Sequence, residues 1–422
     1  MTPTVEDKAH VTALSGTPFA VLLYQFFPSD EVVSAKLFGD LSKCLADRGW
    51  KVTAYPSIYG FGDRPIRHSR RETWESVDVR RVWRPKFRQW SSIGRVLNAV
   101  WISVCWSALA LDPRIRPNVV IIGTDPILSI AVARAWRRFK PETKLVHWCF
   151  DLYPEAAIAD GKFKDDDLFI RLIRPVLHKA YACCDLIVDI GICMRERLKR
   201  YDSPAREATI VPWALEEYSS PVSSDPVERM AVFGAARLGI MYSGSFGRAH
   251  SSDEILSLAR CMRDDDVQFA FAVSGSRVKD LENAVRADDS NIRFVSPAPL
   301  SNLMKRLGCA DIHLVSLQEG WTGTVVPSKF FGALAAGRPV LFAGSPESAI
   351  ARWIIALKVG WILSRMNVNE TAQELRLYAA DPQAQELMRT RCHQVYTSRF
   401  SKTQGTGQWH SELCSLTGIR ER

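Results

Sequence analysis

The chain has 422 residues, 47% of them hydrophobic, with 55 Lys and Arg against 46 Asp and Glu, a net charge of +9. That is enough chain for two domains of ordinary size. No zinc-finger spacing, RNA-recognition signature or basic zipper accompanies the positive excess, so nucleic acid ranks below anionic lipid or a phosphorylated substrate as a partner.

The first eighteen residues are polar and read as a flexible tail (1–18), not as a secretory signal. From Phe19 strands and helices alternate. FAVLLY is an apolar run suited to a strand buried on both faces. A loop, QFFPSD, leads to a helix from about Ser34 to Asp47 that stops near Gly49, and KVTAYP is the next strand. A basic stretch follows, with Arg64, Arg67, Arg70, Arg71, Arg80, Arg81, Arg84, Lys86, Arg88 and Arg95 close together. Trp83, Trp90, Trp101 and Trp106 fall in and after it, a pattern resembling an interfacial anchor.

VDVRRVW within this stretch reads as a strand. Residues 93–111 are apolar with only Arg95 interrupting, close to the roughly 20 residues a membrane span needs. VVII at 119–122, reached through a proline-rich turn, makes this segment the crossover helix before a parallel strand. We read it as a core helix whose N-terminal half touches anionic lipid. VVIIGTDP, a helix near 129–138, KLVHWCFDLYP, a helix near 167–184, DLIVDIG, another helix and ATIVPW complete a doubly wound unit over 19–215.

Residues 216–236, rich in Ser, Pro and acid, lack apolar periodicity and read as a linker. A second alternating series fills 237–400. Two such α/β units imply a cleft between domains, with ligands beyond the carboxyl ends of the strands. Within the second unit, VPSKFFGALAAGRPVLFAG (326–344) reads as a loop, a helix opening at Pro327 and Ser328, a stop at Gly337 and a strand from Pro339 to Phe342. The first-turn amides, the dipole behind them and Lys329 make a site for a phosphate or diphosphate. The ten cysteines are scattered without a C-x-x-C pair, as in a reducing cytoplasm.

Four segments in order resemble a GT-B glycosyltransferase of family 4, in the branch that builds bacterial surface polysaccharides. They are YQFFPSD, DLYPEAAIADG (151–161), YSGSFGRAH (242–250) and VPSKFFGALAAGRPV. The resemblance implies an N-terminal acceptor-binding domain, a C-terminal nucleotide-sugar domain and a last helix (401–422) crossing back to the first. It implies transfer of a sugar from a nucleotide diphosphate sugar, UDP by preference, to a lipid-linked or growing glycan acceptor, with retention. The enzyme would work without a metal or other cofactor, in the cytoplasm and peripheral to the inner face of the membrane.

Carried onto this chain, the motifs make Arg248 and Lys329 the diphosphate clamp. Gly244 and Gly247 let the backbone approach, and His250 lies beside them. The amides after Thr324 (Val325, Val326) and the helix behind Ser328 complete the cradle, with the backbone near Gly275 facing the base. Family members often carry two glutamates at E-x7-E spacing; here those places hold Thr324 and Gly332, and Glu319 is left as the nearby carboxylate. On the acceptor side Asp151, at the end of KLVHWCF, would receive or orient the acceptor hydroxyl's proton. Glu155 would do likewise or charge a helix N-terminus; Thr124 and Asp125 border the same cleft. Two readings compete: a sugar-nucleotide epimerase of the same architecture, and a non-catalytic scaffold subunit.

Overall fold

The structure, a computed structural model, describes residues 16–30, 32–62, 65–87 and 91–421. Residues 1–15 of the expected tail, Arg64, Arg88 and Trp90 lie outside the described residues. The first half contains β1 (Phe19–Leu23), α1 (Val33–Asp47), β2 (Lys51–Ala54), β3 (Arg71–Trp74), β4 (Val77–Arg80), α2 (Ser92–Leu109), β5 (Val119–Gly123), α3 (Ala133–Phe139), β6 (Lys144–Trp148), α4 (Glu155–Ala159), α5 (Leu168–Tyr181), β7 (Leu186–Asp189), α6 (Ile192–Leu198) and β8 (Arg206–Thr209). The second contains α7 (Pro226–Phe233), β9 (Leu238–Ser245), α8 (Asp253–Cys261), β10 (Val267–Ser274), α9 (Val278–Ala284), β11 (Ile292–Phe294), α10 (Leu303–Cys309), β12 (Ile312–Ser316), α11 (Lys329–Ala335), β13 (Val340–Ala343), α12 (Ala349–Leu357), β14 (Gly360–Leu363), α13 (Val368–Ala380), α14 (Pro382–Val395) and α15 (Lys402–Thr417).

The strands form two sheets, ordered β3-β4-β2-β1-β5-β6-β7-β8 and β11-β10-β9-β12-β13-β14. All neighbours are parallel except β3 and β4. The continuous apolar runs of β1, β5 and β6 are buried on both faces, as helices on each side of a parallel sheet require. Leaving the edge hairpin β3–β4 aside, the strand order in each sheet reverses once, between β1 and β5 and between β9 and β12. Such reversals open a crevice at the carboxyl ends of the strands.

Three readings of the sequence are corrected. The basic stretch contains a hairpin, β3–β4, whose turn residues Glu75 and Ser76 both have positive φ (46° and 66°). Such two-residue turns usually carry Asn-Gly, so Glu-Ser gave no signal. The supposed linker holds α7, whose Asp225 side chain accepts from Glu228 N at 2.8 Å, with Val232 and Phe233 buried. The interfacial-anchor pattern is only partly on the surface. Trp106 is fully buried and donates to Tyr55 O (2.8 Å); Arg84 is likewise buried, bonded to Ser57 Oγ (2.9 Å) and Asn98 Oδ1 (2.8 Å).

α2 buries Ala99, Ile102 and Trp106 and exposes Ile93, Val96, Val100 and Val104. No described helix is long and apolar enough to cross a membrane. α15 packs against α1. Its buried Trp409 packs at a tilt against Trp148 (4.7 Å between ring centres), which also meets Trp213, Phe38 and Phe150.

Candidate active site

In the second sheet β9 pairs with β12 only at Ile240–Ile312 and Met241–His313, so beyond Met241 the strands part. Tyr242 and Gly244, two residues apart, share one face of β9. Lys329, the first residue of α11, projects into the gap. Its Nζ lies 5.2 Å from the centre of the Tyr242 ring and 3.5 Å from His250 Nε2. Gly244 has φ +112°, and a Cβ there would stand 3.3 Å from Lys329 Cε, so glycine leaves room for the lysine. His250 Nδ1 lies 2.7 Å from Ser316 O. A carbonyl can only accept, so Nδ1 carries the proton and Nε2 faces the ammonium as an acceptor. Burial, then the charge of Lys329, pushes the His250 pKa down to about 4. Burial also lowers Lys329 to about 8.

Arg248 has a different partner. Its Nη1 donates to Asp160 Oδ2 at 2.8 Å, across the domain boundary, and its side chain remains 54% exposed. Arg248 and Lys329 thus hold separate groups. A cavity of about 350 Å³ at the boundary is lined by Asp160, Arg248, Ser276, Arg277, Gln318 and Trp321. Gly275 adjoins it and Gly247 precedes Arg248. Glu319 is exposed on the neighbouring loop and is absent from that lining. Thr324 is fully buried, its Oγ1 donating to Trp321 O (2.8 Å), and Val326 is buried as well, with Val325 partly so.

The helix expected to form the cradle is short. α11 spans seven residues and the Ser328 side chain makes no cap. The amides of Phe330 and Phe331 already donate to Pro327 O and Ser328 O (3.3 and 3.1 Å). With the amides of Phe330 and Phe331 taken up, Lys329 supplies the full charge at this end of α11.

In the first sheet the switch point places Asp125 after β5 and Asp151 after β6. Gln25 N donates to Asp125 O (3.0 Å), tying the loop after β1 to the loop after β5. Asp151 is exposed at its surface, but the surrounding protein displaces enough water to push its pKa up to about 6. Burial, then the charge of Asp151, pushes Asp125 up to about 7. Asp125 also lines a largely apolar cavity of about 930 Å³, with Phe26, Phe61, Val96, Leu128, Tyr153 and Phe169 in its walls and Arg95 and Lys162 as its cations.

Glu155 does not face the cleft. It is 2% exposed, accepts from Tyr201 Oη at 2.7 Å and pairs with Arg200 at 3.1 Å. Sequence reasoning placed it correctly at the start of a helix but could not tell which way that helix faces. Tyr242 and Asp160 were missed as site residues, although both lie inside quoted motifs; the period of two that pairs Tyr242 with Gly244 was the available signal.

The two switch points meet. Leu152 N, beside Asp151, donates to Thr324 O (2.9 Å), and Arg197 of α6 donates to Thr322 O (2.5 Å) and Gly320 O (3.2 Å). One continuous core runs from the first sheet into α11 and α12. Among the described residues, no group of three or more His, Cys, Asp or Glu could hold a metal ion.

No family model matches the chain. It is 27% identical over 290 residues to Probable glycosyltransferase WbjE of Pseudomonas aeruginosa, covering 68% of this chain and 72% of that protein. Among solved structures it superposes on sucrose-phosphate synthase of Thermosynechococcus elongatus with a TM-score of 0.71 at 14% identity, covering 96% of this chain and all of that one. WaaG, a glycosyltransferase involved in lipopolysaccharide biosynthesis, gives 0.62 at 17% identity, covering 95% and 100%. Anabaena HepE in complex with UDP-glucose gives 0.62 at 13%, covering 94% and 99%. The fold is GT-B. The sequence relative is itself a probable glycosyltransferase, and the solved structures share this two-lobed architecture.

Proposed function

We propose that the protein transfers a sugar from a UDP-sugar to a lipid-linked or growing glycan acceptor in bacterial surface-polysaccharide synthesis. It does so as a family-4-type enzyme, with retention and without a metal. The observation that carries this reading is the joining of the Asp151 loop to the loop that precedes Lys329, through Leu152 N and Thr324 O. This contact supports a cleft bordered by Asp151 as proton acceptor and Lys329 as cation. The relation to WbjE and the likeness to HepE with UDP-glucose support it.

The donor diphosphate lies along Gly244 against Lys329, with the base near Gly275. The bond from the anomeric carbon to the β-phosphate oxygen breaks, and its electron pair leaves with the diphosphate, whose growing charge Lys329 meets. The acceptor oxygen bonds the same carbon, and its proton passes to Asp151, beside Asp125. Arg248, more than half exposed, joins the diphosphate by exchanging Asp160 for it. The 930 Å³ cavity takes the apolar part of the acceptor. The exposed first half of α2 rests on the inner face of the cytoplasmic membrane.

Release of nucleoside diphosphate, assayed over a panel of sugar nucleotides with a lipid-diphosphate glycan acceptor, tests the reading. Lys329→Ala should slow turnover by about 100- to 1,000-fold, and Asp151→Asn by about 100- to 10,000-fold. Unchanged turnover in both variants would remove the site. Conversion of the donor to its epimer with no acceptor present would favour an epimerase instead.

A further inference from the structure

The first lobe carries another cavity, away from the cleft, and α5 divides the two. On one flank of this helix Phe169 and Ile173 form a wall of the 930 Å³ cavity. On the other, Arg171, Arg174, His178 and Lys179, with Arg200 and Tyr201, line a cavity of about 620 Å³. Between the flanks runs a crest of exposed side chains, Leu168 (71%) and Leu172 (65%), four residues apart on one helical face. The opposite face, Ile170, Leu177, Ala180 and Tyr181, is buried.

The cations of the second cavity outnumber their partners. Arg174 pairs with Asp165 and Arg200 with Glu155, but Arg171, His178 and Lys179 have no acidic partner among the described residues. Arg174 Nε is also buried without an acceptor. A concave surface of donors with too few acceptors is complementary to an anion, and guanidinium groups suit phosphate best. The crest decides which phosphate. A soluble anion has no use for two bare leucines beside its site, whereas a lipid headgroup lies next to acyl chains. α2 packs against the same short turn of helix, Ser129–Val132, as α5 does, and exposes Ile93, Val96, Val100 and Val104. Apolar edges therefore flank the mouth of the 930 Å³ cavity on both sides.

We propose that α5 docks the protein on an anionic phospholipid bilayer, with Leu168 and Leu172 among the upper acyl chains and the Arg171–Arg174–Lys179 cleft around a headgroup phosphate. In this pose the apolar cavity opens onto lipid. The inference rests on the functional reading above only in supplying the lipid-borne acceptor with a route of entry.

Co-sedimentation of the full chain with vesicles of phosphatidylcholine, alone or mixed with phosphatidylglycerol, tests it. The protein should bind the mixed vesicles, and added salt should weaken the binding. Arg171→Glu with Lys179→Glu should weaken binding at least tenfold, since each basic residue near such a surface is worth about fivefold. Leu168→Ser with Leu172→Ser should weaken it independently. All four positions are on the surface, so thermal melting should match the parent, and donor turnover with a water-soluble acceptor should persist. Unchanged vesicle binding in both double variants overturns the proposal. So does equally tight binding of inorganic phosphate or of a soluble anionic polysaccharide at this cleft. Loss of transfer with intact vesicle binding would instead overturn the functional reading alone.

Discussion

At the scale of single residues, the contrast between Lys329 and the two aspartates sets a pH window. Lys329, lowered to about 8 by burial, grips a diphosphate only while protonated, so its contribution is present below that value and lost above it. Asp151 and Asp125, raised to about 6 and about 7, accept a proton only when ionised, so their contribution appears as pH rises through those values. The value of kcat/KM should therefore climb between about pH 6 and 7 and fall above about 8, because it reports the ionisations of the free enzyme. Calorimetric titration with UDP isolates one limb: the Kd should weaken by roughly tenfold per unit above pH 8, and Lys329→Arg should abolish that slope. A Kd that stays flat to pH 9.5 in the parent would show that Lys329 does not hold the diphosphate. Lys329, His250 and Gly244 could be picked from the sequence because the motif keeps them close along the chain or in a fixed order. The environment of Glu155 could not, since Tyr201 approaches it only after α5 and α6 have folded.

At the scale of elements, apolar runs were the most legible signal. β1, β5 and β6 are buried on both faces, and their short apolar runs read as central parallel strands. α7 was hidden by its composition: PVERMAVF has one turn's worth of apolar residues, and its start depends on the Asp225 cap. The hairpin β3–β4 was hidden because tertiary context imposes positive φ on Glu75 and Ser76. The aromatic cluster of Trp148, Trp213 and Trp409 joins three distant stretches of chain, and no local pattern announces it. Trp148 of this cluster meets Phe150, the residue before Asp151, at 4.6 Å between ring centres. Trp409→Ala should cost about 3–5 kcal/mol, seen as an earlier urea transition of the first lobe, and should reduce turnover through a loosened Asp151 loop. Equal midpoints for variant and parent would show that the cluster does not support that lobe.

At the scale of the whole molecule, the two lobes touch through backbone as well as side chains. Gly323 has φ +78°, and a Cβ there would lie 2.4 Å from Cys193 O in α6. Gly323→Ala combines a strained backbone, costing about 1–2 kcal/mol, with a wedge between the lobes. The variant should scatter X-rays as a more open particle and show a raised KM for the donor with little loss of thermal stability. An unchanged scattering profile together with unchanged KM would mean that this contact does not govern closure. The division into two doubly wound units followed from the change of composition after Trp213, but the closeness of their meeting did not. It depends on Leu152, Arg197 and Gly323, whose partners are more than a hundred residues away along the chain.

The return of α15 to α1 has a bearing on biogenesis. The first lobe cannot place Trp409 against Trp148 until residues 402–417 have been synthesised, and these follow the entire second lobe. A nascent chain emerging from the ribosome would thus hold a half-finished amino-terminal half, with a bare indole-lined hollow, throughout translation of everything downstream. Ribosome-stalled intermediates halted before residue 402 should recruit chaperones through that hollow, and release of the last helix would act as the latch that ends the vulnerable period.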